Sequence, residues 1–308
     1  MASTTRRAFL ATAAAASTAA ALHAPAALAQ QQGKKPKQDQ LGPEELRRLG
    51  RTPHTRFAVN IEMWWRKLPF LQRIGQAARF GFPAIEFWNW RTKDIDAVAR
   101  LTQELGLEVA QFTAWGFRPG LNNPKNHDRF VKAIEEACQV ARRLRCKKMT
   151  VVGGDDQPGM TQEQMHQHII AGLRRAAPVA ERYGVMMILE PMNIRVDHKG
   201  HCLYGSAPAI RICREVGSPM VRINWDLYHM QITEGDLCGH LREGIRWIGY
   251  LQLADHPGRN EPGTGEIHYP RVLREAYELG YRGYVGLECR PKTTELAAAQ
   301  AVHRADQW

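Results

Sequence analysis

Val185-Met186-Met187-Ile188-Leu189-Glu190 and Val221-Arg222-Ile223-Asn224-Trp225-Asp226 are two short apolar runs, each ending in a carboxylate, and between them Ala207 to Val216 has helical patterning. Short runs rich in Val, Ile, Leu and Met, separated by helix-length spans, predict parallel strands joined by crossover helices. Outward from this pair the same unit repeats. On the N-terminal side, Phe57–Glu62, Ala84–Trp88, Glu108–Trp115 and Lys148–Val152 read as strands. Their helices are expected near Leu68–Phe80, Asp94–Leu105, Asn126–Leu144 and Thr161–Tyr183. On the C-terminal side, a short helix near Asp236–Glu243 leads to a strand at Ile248–Ala254, a helix at Tyr269–Leu279 and a last strand at Tyr284–Glu288. Eight such units in roughly 235 residues predict an α/β fold closed as a (β/α)8 TIM barrel. An open doubly wound sheet is disfavoured, because no Gly-x-Gly-x-x-Gly follows the first strand.

The chain has 308 residues, 44% of them hydrophobic and 24% charged, an ordinary globular composition with ample length for one large core. Its first 29 residues differ in kind. Arg6-Arg7 stands directly before an alanine-rich apolar stretch that ends near Ala27-Leu28-Ala29. Paired arginines, an apolar stretch and a small-x-small end predict a twin-arginine signal peptide, hence the Tat export machinery as partner and a periplasmic or otherwise exported protein. Residues 30–55 read as a polar linker, and 56–308 as the barrel domain. No run of 18 apolar residues lies beyond the N-terminus, so no membrane span is expected in the mature protein. Of the net charge of +11, Arg6, Arg7, Lys34, Lys35 and Lys37 less Asp39 hold +4, leaving +7 spread along the rest. The dense patch Arg142-Arg143-Leu144-Arg145 lacks interleaved aromatics, which reads as a solvated helix face and not as a nucleic-acid site. The six cysteines show neither Cys-x-x-Cys pairs nor zinc spacing; export of the folded protein would let them stay reduced and buried, and disulfides in the periplasm are the alternative that sequence leaves open.

Glu190, Asp226, Gln252 and Glu288 fall at or near the C-terminal ends of strands five to eight. In a (β/α)8 barrel these ends share one face, where active sites are built. Three carboxylates converging there repel one another unless a cation lies among them. An oxygen-only set suits Mg2+ or Mn2+. Glu62, Glu86 and Glu266 are lesser candidates; Glu266 sits in a Gly-Thr-Gly-Glu turn that allows close approach to a ligand.

Three segments, Leu189-Glu190-Pro191-Met192-Asn193, Asn224-Trp225-Asp226-Leu227-Tyr228-His229-Met230 and Leu251-Gln252 through Gly265-Glu266, closely resemble the hydroxypyruvate isomerase family of xylose-isomerase-like barrels. The similarity runs from about Phe57 to Pro291. It implies that Glu190, Asp226, Gln252 and Glu288 hold a divalent metal and that Glu190 and Glu288 are also the catalytic proton-transfer pair. It further implies that His229 and Arg259 contact the substrate's oxygens or carboxylate; Glu266, on the strength of its turn, is a third substrate-binding candidate. The implied reaction interconverts hydroxypyruvate and tartronate semialdehyde through an enediolate. The alternatives are a ketose 3-epimerase or other sugar or oxo-acid isomerase with the same site, and an exported sugar-binding protein with a vestigial site. A barrel endonuclease would need clustered histidines for several zinc ions, which the strand ends lack. The expected partner is a small hydroxy-carbonyl acid or sugar, and a homo-oligomer is compatible with the sequence.

Overall fold

The computed structural model describes residues 41–308; the signal-peptide segment and the first part of the linker lie outside the described residues. Eight strands close into a single parallel barrel in chain order. They are β1 (Arg56–Asn60), β2 (Ala84–Asn89), β3 (Glu108–Trp115), β4 (Lys148–Val152), β5 (Met186–Glu190), β6 (Val221–Asp226), β7 (Ile248–Leu253) and β8 (Tyr284–Leu287). Closure is made by β1 on β8, with Phe57 opposite Val285 and Val59 opposite Leu287.

Before β1 comes α1 (Pro43–Leu49). The crossovers are α2 (Phe70–Arg79), α3 (Ile95–Glu104), α4 (His127–Leu144), α5 (Gln162–Tyr183) and α6 (Ser206–Val216). After β6 come two short helices, α7 (Leu227–Thr233) and α8 (Leu237–Gly244), and the last two are α9 (Tyr269–Glu278) and α10 (Glu295–Ala305). Within the described residues, none of these is long and apolar enough to cross a membrane.

Three helices depart from the sequence reading. α1 lies inside the stretch read as polar linker. Pro43 opens it, the Glu45 carboxylate accepts from the Gly42 N–H at 2.7 Å, and Leu46 and Leu49 are buried. Two leucines one turn apart, among charged residues, are too few to register as a periodic pattern. α7 follows β6 without a loop, because the Asp226 carboxylate accepts from the Tyr228 N–H at 2.9 Å and so caps it. α10 buries mostly alanine, a weak signal in sequence.

Side chains two apart on a strand share a face, and this period builds the barrel interior in layers. Ala58, Ala84, Ala110, Ile188, Tyr250 and Tyr284 form a compact apolar cluster. Small residues on β1 to β3 make room for the large ones on β5, β7 and β8. Two residues further along, the same inward stripe carries Asn60, Glu86, Glu190, Gln252 and Gly286, and Glu288 follows Gly286 at the same spacing. The barrel axis therefore turns from apolar to polar toward the C-terminal strand ends. Gly286 is required in this layer, since a Cβ there would collide with the Glu86 carboxylate.

Candidate active site

At the C-terminal ends of the strands, Glu190, Asp226, His229 and Glu288 are all buried. Each offers one ligand atom, and these atoms lie within 4.8 Å of one another. They line or underlie a cavity of about 650 Å³, whose walls include Met63, Trp88, Phe117, Met192, Val196 and Arg259.

The carboxylates differ in their company. Glu288 is doubly held: Trp88 Nε1 donates to its Oε1 at 2.7 Å and Arg259 Nη2 to its Oε2 at 2.5 Å. Glu190 has no side-chain hydrogen-bond partner among the described residues; its Oε1 lies 3.9 Å from His229 Nε2. Burial, then the charges of Glu288 and Asp226, raise the Glu190 carboxyl well above the usual range. Asp226 is pushed to about 7, chiefly by burial, against the pull of the nearby Arg259 guanidinium. Its Oδ2 has no hydrogen-bond partner and lies 3.7 Å from Arg259 Nη2. Buried carboxylates that repel one another, with an orphaned oxygen among them, fit a divalent cation.

Gln252 lies in the layer just beneath. Its Oε1 accepts from Asn224 Nδ2 at 2.6 Å and its Nε2 donates to Glu86 Oε1 at 2.9 Å. The amide oxygen keeps one lone pair, so Gln252 remains a ligand candidate, but it is tied into a network rather than free. Glu86 is the centre of that network. Asn60 and Gln252 donate to one of its oxygens, Gln111 and Tyr250 to the other. It is fully buried and does not line the mouth.

Arg259 is brought to the site by a turn in which Gly258 and Arg259 both have positive φ, 108° and 55°. The loop is organised by Asp255. One carboxylate oxygen accepts from the N–H groups of Gly263, Thr264 and Gly265, the other from those of His256 and Ile267, all at 2.8–3.0 Å.

Two sequence candidates fall elsewhere. Glu266 is exposed, accepts from Gln231 Nε2 at 3.1 Å and does not line the cavity. The Asp255 clamp holds the N–H groups on either side of that residue, those of Gly265 and Ile267, and the Glu266 side chain stands outside the cavity lining. Glu62 pairs with Lys93 at 2.7 Å. The structure also adds residues: Trp88, whose indole holds Glu288, and Asn193, whose amide meets His229 Nδ1 at 2.7 Å. All six cysteines are free and five are buried; Cys238 is half-buried.

Comparison with known proteins agrees with this geometry. Residues 74–306 match the family described as xylose isomerase-like TIM barrel. The hydroxypyruvate isomerase of Escherichia coli strain K12 is 33% identical over 248 residues, 79% of this chain and 96% of that protein. The 2-oxo-tetronate isomerase of Cupriavidus necator is 33% identical over 244 residues, 77% and 93% of the two chains. Among solved structures, one described as an AP endonuclease, family 2, from Brucella melitensis superposes with a TM-score of 0.75 at 27% identity, covering 79% of this chain and 96% of that one. The chain belongs to the xylose isomerase-like TIM barrel family. It is an enzyme, an isomerase of the sugar and oxo-acid kind.

Proposed function

We propose that the chain isomerises a small 2-oxo-3-hydroxy acid by proton transfer between adjacent carbons, with hydroxypyruvate and tartronate semialdehyde as the pair. The observation that carries this is the convergence of Glu190, Asp226 and Glu288, one oxygen of them orphaned, at the floor of a cavity. Glu190, Asp226, Glu288 and the remaining lone pair of Gln252 would hold the metal. A bound Mg2+ or Mn2+ supplies electrophilic stabilisation of charge on two adjacent substrate oxygens.

The protein's own groups then divide the work. Glu190 is the better base, because no donor holds its oxygens and burial raises its proton affinity. Glu288 has both oxygens occupied by Trp88 and Arg259, which fixes its position. Glu190 removes the proton from C3, the enediolate forms, and the protonated Glu190 returns that proton to C2 while the hydroxyl proton passes from O3 to O2. Arg259 and His229 balance the negative charge that develops.

The test is proton NMR of purified protein in deuterated buffer with Mg2+ or Mn2+. Glu190→Gln should abolish exchange of the substrate's C3 proton, with a loss of roughly 10²-fold or more in kcat. Glu288→Gln should retain part of that exchange. A chelator should stop turnover and either metal restore it. Full turnover in metal-free protein, or unimpaired exchange in Glu190→Gln, would sink the proposal. We also propose, from Arg6-Arg7 and the apolar stretch behind it, that the protein is exported by the twin-arginine route.

A further inference from the structure

His229 is placed so that it could act in either of two opposite ways. Its Nε2 faces the carboxylates, 3.6 Å from Asp226 Oδ2 and 3.9 Å from Glu190 Oε1, and makes no hydrogen bond. If Nε2 carries a lone pair, it is a fifth protein ligand for the metal. If Nε2 carries the proton, it is a donor and cannot bind the metal. The neutral ring has one proton, and the hydrogen bond made by the other nitrogen decides where it sits.

That other bond is to Asn193. In most settings the two ends of an asparagine amide are interchangeable; here they are not. Asn193 Oδ1 accepts from two backbone N–H groups, Val196 at 3.0 Å and Asp197 at 3.1 Å. Its Nδ2 donates to Asp197 Oδ2 at 2.9 Å. Turning the amide over would set an NH2 against two N–H donors and an oxygen against a carboxylate, losing three bonds together. Asn193 is fully buried, so water cannot replace them. The group that meets His229 Nδ1 at 2.7 Å is therefore the NH2, a donor, and Nδ1 must accept.

We propose that Asn193 is a positioning residue that holds His229 in the tautomer with its proton on Nε2, making His229 a hydrogen-bond donor to substrate oxygen and withholding it from the metal. The metal is then left with oxygen ligands alone. This matters for metal choice, since an imidazole nitrogen among the ligands would favour zinc and copper over Mg2+ and Mn2+. Asn193 thus sets the character of the centre without being one of its ligands.

The role given to the Nε2 proton rests on the isomerase reading, but the tautomer does not, and the two are measured separately. In metal-free protein labelled with 15N in histidine, His229 should show an acceptor-type shift at Nδ1 and a protonated-nitrogen shift at Nε2. The reverse pattern in the unaltered protein would overturn the proposal, with no variant needed. Asn193→Asp presents only acceptors, so it should move the proton to Nδ1. Two consequences follow in that variant: Zn2+ affinity should rise about tenfold or more relative to Mg2+, and kcat should fall about 10²-fold, the scale of losing one donor to an oxyanion. A variant that folds, keeps the original 15N pattern and keeps its metal preference would equally overturn it. Correct 15N shifts in a protein that turns over no hydroxy-oxo acid would refute the reaction and leave the tautomer standing.

Discussion

Glu86 offers the sharpest energetic test, because a charge lies at the centre of the barrel with no cation beside it. Burial first, and then the charge of Glu288, push its carboxyl from 4.5 to about 7; hydrogen bonds from Gln252, Tyr250 and Asn60 pull the other way and lose. At about 1.4 kcal/mol for each pH unit, that difference is worth about 3 kcal/mol. The folded-state value lies above the unfolded one, so the stabilising contribution is complete below pH 4.5 and is lost as pH rises through 7. Buried histidines slope the opposite way over much of this window: burial pushes His127, His166, His198 and His229 down, and His201 to about 3. A comparison of the unaltered protein with Glu86→Gln at each pH cancels them. In urea unfolding of metal-free protein, the unaltered chain should lose about 3 kcal/mol relative to Glu86→Gln between pH 4.5 and 8. In thermal melts this is a relative drop of roughly 6 °C. Added Mg2+ or Mn2+ should shrink the slope by offsetting the charge of Glu288. Two stability curves that stay parallel across this range would refute the reasoning.

Three further outcomes are expected. Gly286→Ala pushes a methyl group into the Glu86 carboxylate and should cost about 1–3 kcal/mol in urea unfolding, the scale of overpacking a full core. Arg259→Lys removes the guanidinium whose Nη2 donates to Glu288, and kcat/KM for an acid substrate should fall by about 1–3 kcal/mol in transition-state stabilisation; steady-state kinetics against a neutral ketose is the comparison. Replacing Arg6 and Arg7 by lysine should leave the full-length chain in the cytoplasm, as read by fractionation and immunoblotting.

The barrel was legible because strand and helix periods are local: β3, β4 and β6 begin and end where the apolar runs do. Glu190, Asp226 and Glu288 were legible for the same reason, since position on a strand determines which end of the barrel a side chain reaches. His229 and Arg259 came from the family resemblance, and both line the cavity. What stayed hidden depends on partners distant in the chain. Trp88 reaches Glu288 across 200 positions and Glu86 meets Gln252 across 166, and no spacing rule connects them. Glu266 sits in a glycine-rich turn of the type that approaches ligands, yet its carboxylate accepts from Gln231 and stands outside the cavity lining, a placement set by contacts distant in the chain. Asn193 stood inside a quoted motif, yet its role depends on which way an amide faces, and that is decided by backbone N–H groups three and four residues on.

The Asp255 clamp has a mechanical consequence. Five N–H groups from residues 256–267 converge on one carboxylate, and the same loop is tied to the segment after β8 by Asn260 Nδ2 on the Arg290 carbonyl, the Arg290 N–H on the Arg259 carbonyl and the Lys292 N–H on Glu261. Substitution of that one side chain frees five amides in a single event, while the bonds to Arg290 and Lys292 remain. The two sets divide the labour: Asp255 sets the shape of the loop, and the β8 side of the barrel keeps Arg259 anchored beside Glu288.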